Sequence, residues 1–224
     1  MLSAGIVGLP NVGKSTLFNA LTRAEAEVAS YPFTTIDPNV GVVPVPDPRL
    51  AALEEALDPD EAIPSSVRFL DIAGLVEGAS RGEGLGNRFL GEIRAVDAMV
   101  HVLRCFTDEN VAHPLGQADP EQDAEVIETE LLLADLEVLD RAIEKRKKGW
   151  QTAPREHGKE RDRLARYRET LEEGRPLREL DLDDEDRREL TDLGLITGKR
   201  LLYVANCDED EVGGDLAPRL EEAL

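Results

Sequence analysis

The chain has 224 residues, of which 41% are hydrophobic and 33% are charged, and its formal net charge is −21. This length suits one large domain or a domain with a small companion. The strong negative charge argues against bulk nucleic-acid binding by the chain as a whole. No signal peptide or long apolar run is recognisable, and Cys105 and Cys207 form no zinc-type spacing. These features predict a cytoplasmic protein with no membrane contact.

The first feature in chain order is a phosphate-binding loop. A short apolar run at residues 4–7 precedes Gly-Leu-Pro-Asn-Val-Gly-Lys-Ser-Thr at residues 8–16, and apolar residues at helical spacing follow. In such a strand–loop–helix unit, backbone N–H groups and the helix N-terminus face the phosphates. We expect Lys14 to reach the β- and γ-phosphates and the Ser15 hydroxyl to bind Mg²⁺. The predicted nucleotide-binding residues of the loop are Asn11, Val12, Gly13, Lys14, Ser15 and Thr16.

The segment after the first predicted helix is extended, because Pro32 and Pro38 exclude a helix there. A threonine at position 34 or 35 can contact Mg²⁺ and the γ-phosphate, and we favour Thr35. The alternative is that both threonines only favour extended backbone.

The rest of the chain alternates between strands and helices, which predicts an α/β fold with a mainly parallel sheet and right-handed crossovers. One strand contains His101, which we interpret as a hydrogen-bonded core residue. A glycine-rich stretch at 77–87 is predicted to be a mobile loop. The predicted strands are 40–45, 66–70, 97–103 and 200–205, and the predicted helices are 48–57, 89–96, 121–148 and 216–224.

Two motifs at strand ends complete a predicted P-loop site. Asp71-Ile-Ala-Gly74 follows a strand directly, so Asp71 can reach Mg²⁺, directly or through water, and the Gly74 N–H can donate to the γ-phosphate. Loss of that phosphate would release the following loop, as in a switch. The last strand ends at Asn206-Cys-Asp-Glu, where GTPases generally have N-K-x-D for guanine. With Glu209 in place of the aspartate, Asn206 and backbone groups can instead read adenine.

A long helical segment interrupts the alternating pattern. Residues 121–148 carry two adjacent apolar rows, and Asp119-Pro120 is a helix start signal. A helix of this length would extend about 40 Å. A shorter apolar row at 164–171 supplies a partner, so we predict a coiled-coil-like hairpin in which both rows are buried against that partner. The predicted domains are a nucleotide-binding domain, 1–119 and 191–224, and an inserted helical hairpin domain, 120–190.

The far end of this predicted hairpin is basic. Residues 141–168 contain eleven Lys or Arg against four Asp or Glu. A tip from Lys145 to Arg168 can contact an anionic partner such as RNA, and an ordinary solvated charged face is the alternative.

In this order, the motifs resemble those of the YchF family of Obg-related P-loop NTPases. The resemblance covers nearly the whole chain and is carried by G-L-P-N-V-G-K-S-T, Y-P-F-T-T-I-D-P-N-V-G, D-I-A-G-L-V-E-G-A-S-R-G-E-G-L-G and N-x-x-E. It implies a Mg²⁺-dependent, ribosome-associated ATPase that prefers ATP to GTP, with the large ribosomal subunit as the expected partner. The family pattern continues beyond Leu224 into a base-contact motif and a TGS domain.

The resemblance also implies roles for single residues. Leu75 stands where many GTPases have a water-orienting glutamine, so slow turnover is expected. In the family, a histidine that matches His113 is the proposed replacement for this glutamine. The alternative is that His113 is a loop histidine without a catalytic role. Asn11 matches an asparagine of relatives that use K⁺ for charge stabilisation. The predicted catalytic residues are therefore His113, Lys14 and Gly74; the base contacts are Asn206 and Glu209; the metal ligands are Ser15, Thr35 and Asp71.

Two other functions stay open at this point. The first is an ordinary Obg-type GTPase. The second is a switch whose output is nucleotide-dependent binding and whose hydrolysis is incidental.

Overall fold

The computed structural model describes residues 1–26, 39–72, 85–108, 110–153 and 155–224, with only the backbone at 23–26 and 85–88. Within these ranges five strands form one sheet in the order β2-β3-β1-β4-β5, and β2 is the antiparallel member. This confirms the predicted α/β fold with a mainly parallel sheet. The strands are β1 Leu2–Val7, β2 Val40–Pro44, β3 Ser66–Asp71, β4 Ala98–Arg104 and β5 Arg200–Asn206.

Seven helices surround and extend this sheet in the described ranges. Among those residues, no helix combines the length and the apolar character needed to cross a bilayer. The helices are α1 Lys14–Ala26, α2 Pro48–Leu57, α3 Leu85–Arg94, α4 Pro120–Thr152, α5 Gly158–Glu172, α6 Asp184–Leu193 and α7 Leu216–Ala223.

The central position of β1 determines where the site lies. Its apolar residues Ile6 and Val7 are fully buried, as expected for a parallel strand covered on both faces. Ile6 pairs with Asp71 at the end of β3, and Val7 pairs with His101 in β4. The loop after β1 therefore emerges at the carboxyl edge of the sheet, between the ends of its neighbours, where α/β proteins bind ligands.

Helix α4 is longer than predicted and contributes to two apolar cores. It starts as predicted, since the Asp119 side chain accepts from two backbone N–H groups of the first turn. Ile127, Leu131 and Ala134 pack into the sheet core, whereas Leu139 packs into a second cluster with residues of α5. The expectation that both apolar rows are buried against the partner helix is therefore wrong, because most of one row packs on the sheet.

The second cluster includes a helix that the sequence analysis did not predict. Leu190 of α6 packs in this cluster, and α6 begins with a capping box between Asp183 and Asp186. Most residues of α6 are charged, so its apolar periodicity is weak. The helical region therefore contains three helices in its described part, and the domain limits at 120 and 190 stay a prediction.

His101 is buried as predicted, with 2% of its surface exposed, but one of its ring nitrogens lacks a hydrogen bond to the described residues. Its Nε2 atom has no partner among the described residues, and its ring lies 5.4 Å from that of Tyr203. Burial, together with the charges of Arg178 and Lys14, lowers the pKa of His101 to about 3. The interpretation as a satisfied core histidine is wrong for Nε2.

Candidate functional site

The loop after β1 has a backbone that requires glycine at two positions. Gly8 has φ +148° and Gly13 has φ +100°. A Cβ at Gly8 would lie 2.6 Å from the Val102 carbonyl oxygen, and one at Gly13 would meet the Asn206 amide. Asn11 has φ +64°, a left-handed conformation that asparagine tolerates. The loop is therefore held close to the ends of β4 and β5.

Lys14 and Ser15 stand at the start of α1, where the helix dipole favours anions. Lys14 is largely buried and its Nζ donates to the Leu9 carbonyl at 2.8 Å. Burial lowers the pKa of Lys14, and the charge of Asp71 opposes this shift. The Ser15 hydroxyl donates to Asp71 Oδ2 at 2.6 Å. Thr16 follows as an exposed residue of the first turn.

The Ser15–Asp71 pair has the chemistry of a Mg²⁺ site. In the described residues, no group of three or more His, Cys, Asp and Glu could hold a metal. Mg²⁺ in phosphate-binding proteins takes one or two protein oxygens and completes its shell with phosphate oxygens and water. A hydroxyl and a carboxylate in contact at the edge of the P-loop fit that need. Thr35 and Gly74, like most of the predicted mobile loop at 77–87, lie outside the described residues.

Asn206 joins the predicted base-contact motif to the P-loop. Its Nδ2 donates to the Val12 carbonyl at 2.9 Å. Its own carbonyl accepts from the backbone N–H groups of Cys105 and Phe106, at 2.8 and 3.1 Å. Glu209 lies three residues further, exposed, in the short 3₁₀ turn Glu209–Glu211. The structure therefore places Asn206 beside the P-loop and Glu209 at the surface nearby.

The segment after β4 is anchored by Arg104, which the sequence analysis missed. This buried guanidinium donates to the carbonyls of Asp108 at 3.0 Å and Val111 at 2.9 Å, and lies 4.6 Å from the centre of the Phe106 ring. One position further on, the Ala112 carbonyl accepts from the P-loop residue Asn11 at 3.1 Å. The sequence contained a signal for this residue, because Arg104 is a charged residue at the end of an otherwise apolar strand.

His113 follows directly and is buried rather than open to solvent. Its Nε2 lies 3.0 Å from Asp123 Oδ2, and its Nδ1 accepts from the Leu115 N–H at 3.2 Å. The exposed fractions of the His113 and Asp123 side chains are 3% and 2%. Because Nδ1 accepts, the neutral ring carries its proton on Nε2 and donates it to Asp123. The predicted water-positioning residue therefore adjoins the P-loop contact but points towards α4.

Asp123 is a second residue that the sequence analysis missed. Burial raises its pKa, and the hydrogen bond from His113 opposes the shift. Its Oδ1 has no hydrogen-bond partner in the part of the chain that the structure describes. The signal was present in the sequence, since Asp123 continues the apolar row of Ile127 and Leu131 by one helical turn towards the N-terminus.

Comparison with known proteins identifies the family. A family model described as "50S ribosome-binding GTPase" matches residues 3–145. A protein of Bacillus subtilis (strain 168) named "Ribosome-binding ATPase YchF" is 50% identical over 211 residues, which is 94% of this chain. The chain belongs to the YchF family. A YchF protein of Escherichia coli O157:H7 is likewise 50% identical over 206 residues, or 92% of the chain.

A solved structure of the YchF family has the same fold. The Schizosaccharomyces pombe YchF GTPase matches with a TM-score of 0.83 and 36% identity over 99% of this chain and 61% of the fission-yeast chain. The chain spans 58% of the Bacillus protein and 57% of the Escherichia protein. The YchF relatives are therefore considerably longer than the sequence described here.

Proposed function

We propose that this chain is the nucleotide-binding part of a Mg²⁺-dependent NTPase that slowly hydrolyses the β–γ bond of ATP. The observation that carries the proposal is the contact of Ser15 with Asp71 at 2.6 Å, beside Lys14 and below a loop with φ above +90° at two glycines. That arrangement suits a triphosphate with its metal ion. The names of the YchF relatives, ribosome-binding ATPases, support the same activity.

In the proposed reaction a water attacks the γ-phosphorus in line, and the β–γ bridging oxygen leaves with ADP. Lys14 and the N–H groups of the loop stabilise negative charge on the phosphates. Ser15 and Asp71 would hold Mg²⁺, which supplies Lewis-acid stabilisation when bound. Thr35 is proposed as a further metal ligand and Gly74 as the donor to the γ-phosphate.

The preference for ATP is argued from Asn206. One N–H of its side-chain amide is committed to the Val12 carbonyl, and Oδ1 is proposed as an acceptor for the base. Adenine presents an exocyclic amino donor, whereas guanine presents a carbonyl acceptor at the equivalent carbon. The second candidate is GTP, which the family model and the fission-yeast structure name in their descriptions.

Two further roles belong to the same proposal. His113 is proposed to position the attacking water, which requires its ring to leave Asp123. Asn11 is proposed to contribute a K⁺ site near the phosphates through its Oδ1, because its Nδ2 already binds Ala112.

The proposed partner is the ribosome, and specifically RNA of the large subunit. The relatives from Bacillus and Escherichia are named as ribosome-binding proteins, which also supports a cytoplasmic location. Most cations of the basic tip form ion pairs with neighbouring carboxylates. Four exposed cations have no ion-pair partner within the described ranges, and these are proposed to meet the phosphates: Lys145, Lys148, Arg155 and Lys159.

Calorimetry with ATP and GTP tests the nucleotide proposal. We expect ATP with Mg²⁺ to bind at least about tenfold more tightly than GTP, which corresponds to about 1.4 kcal/mol. Asn206→Ala should remove this preference, whereas Asn110→Ala, whose side chain donates to Asp108, should keep it. Tighter GTP binding would instead favour an Obg-type GTPase.

Hydrolysis rates measured in K⁺ and in Na⁺ test the proposed K⁺ site at Asn11. Equal rates in the two salts would contradict it.

A further inference from the structure

Both nitrogens of the His113 imidazole have hydrogen-bond partners, and one of these is Asp123 of α4. Nε2 is bonded to the carboxylate at 3.0 Å and Nδ1 to the Leu115 N–H at 3.2 Å. With 3% of the His113 side chain exposed, the ring offers no free atom to a water beside a phosphate. We propose that Asp123 is a positioning residue that holds His113 away from the attacking water, so that hydrolysis requires this hydrogen bond to break. The inference rests on the proposed role of His113.

The backbone around His113 is already anchored at the nucleotide site. The neighbouring Ala112 carbonyl is bonded to Asn11 of the P-loop, and Val111 is bonded to Arg104. The segment before His113 is therefore already held at the P-loop, so a rotation of the side chain, without displacement of this segment, is enough to break the contact with Asp123. The contact with Asp123 is the strongest interaction that opposes this rotation, because a charge-assisted hydrogen bond exceeds one to a backbone amide.

The hydrogen bond between His113 and Asp123 is only moderately stabilising. Asp123 is buried and its Oδ1 has no partner among the described residues, so the carboxylate is only half satisfied. Burying a charge in this way offsets much of the gain from its hydrogen bond. The other charges that act on Asp123 are the helix-capping Asp119 and the buried Arg104, which have opposite signs. A modest change in interaction energy can therefore release the ring.

The position of Asp123 also links the nucleotide site to α4. Asp123 lies in the first turn of the helix, and the same helix continues into the second core and the basic tip. Release of His113 thus removes a contact between the P-loop side of the molecule and the helical region.

An apolar substitution on α4 tests the proposal. Asp123→Leu removes the acceptor and extends the apolar row of Ile127 and Leu131, and thermal unfolding checks that the larger side chain is accommodated at this buried position. We expect kcat for ATP to rise about threefold or more while KM stays within about twofold. Asp123→Asn keeps an acceptor oxygen but loses the charge, so its rate should lie between those of the wild type and Asp123→Leu. Glu128→Leu is the matched control, because it removes an α4 carboxylate that is bonded to Arg178 instead.

The double variant separates this inference from the proposed function. If His113→Ala lowers kcat and also abolishes the gain caused by Asp123→Leu, both the catalytic role and the positioning role are supported. If His113→Ala lowers kcat but Asp123→Leu lowers it as well or leaves it unchanged, the positioning role is overturned and the catalytic role stands. If Glu128→Leu raises kcat equally, general loosening of α4 explains the gain and the proposal fails. No effect of His113→Ala would overturn both. Thermal unfolding of each variant checks that it is folded.

Discussion

Gly13 shows how one residue connects the two ends of the candidate nucleotide site. Its φ of +100° is costly for any residue with a Cβ, and the added atom would meet the amide of Asn206. The same amide donates to the neighbouring Val12 carbonyl. The P-loop and the last strand are therefore packed against each other through a position without a side chain.

Gly13→Ala should accordingly weaken nucleotide binding by at least about tenfold, or about 1.4 kcal/mol, because the loop must shift to accept the methyl group. Titration with a fluorescent nucleotide measures the change. Gly91→Ala is the control, since Gly91 lies in α3 and an added Cβ would have no atom of another described element within 4 Å. That variant should bind nucleotide normally, and an equal loss in both would contradict the steric explanation.

His101 makes a separate contribution to the pH dependence of stability. Its pKa is about 3 in the folded protein against an ordinary value of 6.5, because burial disfavours the charged ring. The unfolded chain binds a proton below pH 6.5 while the folded chain does not, so stability falls as the pH falls from 6.5 towards 3. Between pH 7.5 and pH 5 the expected loss from this group is about 2 kcal/mol.

Urea unfolding of His101→Leu at both pH values tests this contribution. The loss of stability on acidification should be smaller than in the wild type by about 2 kcal/mol. Met99→Leu changes another buried residue of β4 that carries no titratable group, and it should leave the pH dependence as it was. An unchanged slope in His101→Leu would show that the buried ring is protonated in the folded state.

At the scale of the element, α4 is the informative case. Its 33 residues correspond to about 50 Å, so its two ends serve different parts of the molecule. Asp135, in the middle, is fully buried and accepts from the backbone N–H groups of Ile196 and Thr197 and from the Thr197 hydroxyl. These bonds attach the helix to the segment before β5 and leave the tip projecting beyond the sheet core.

Substitution of the four tip cations that lack an ion-pair partner among the described residues tests the proposed ribosome contact. Changing Lys145, Lys148, Arg155 and Lys159 to Gln should weaken co-sedimentation with ribosomes and reduce its salt dependence, because contacts to phosphate release counterions. The matched control changes four cations that form ion pairs, Arg141, Lys147, Arg161 and Arg168. Equal effects would attribute binding to net charge alone, and no effect of the first set would place the contact elsewhere.

At the scale of the whole molecule, the sheet core and the second cluster share a continuous helix. Leu131 belongs to the first and Leu132 to the second, although they are adjacent in sequence. The pair Glu128–Arg178, at 2.7 Å, is a further tie between α4 and the segment after α5. Two cores joined in this way are expected to unfold together.

The single tryptophan reports on that cooperativity. Trp150 lies near the hairpin tip, packs on the second cluster and donates to Glu160 at 2.9 Å. In urea, its fluorescence transition should coincide with the far-UV circular dichroism transition, and nucleotide at about 100 times Kd should stabilise both by about 2.7 kcal/mol. A tryptophan transition that does not respond to nucleotide would mean that the hairpin unfolds independently.

The sequence alone determined the features that depend on interactions between residues close together in the chain. The P-loop pattern, the Asp119 cap and the strand periodicities depend on residues close together in the chain, and the structure confirms the elements that they predict. The same holds for the family, because its motifs are contiguous and keep their order. The roles predicted for Thr35 and Gly74 stay predictions.

Only the tertiary structure decided which partners meet across the chain. An apolar row on α4 does not reveal whether it faces a sheet or a helix, since both bury apolar area equally well. The partners of Asp123 and Asp135 lie ten and more than sixty residues away, and their carboxylates are recognisable as buried only once the helix is packed. For the same reason the burial of His113 could not be predicted from the sequence. A loop histidine can face solvent or pack against a carboxylate, and only the packed position of α4 shows that it contacts Asp123.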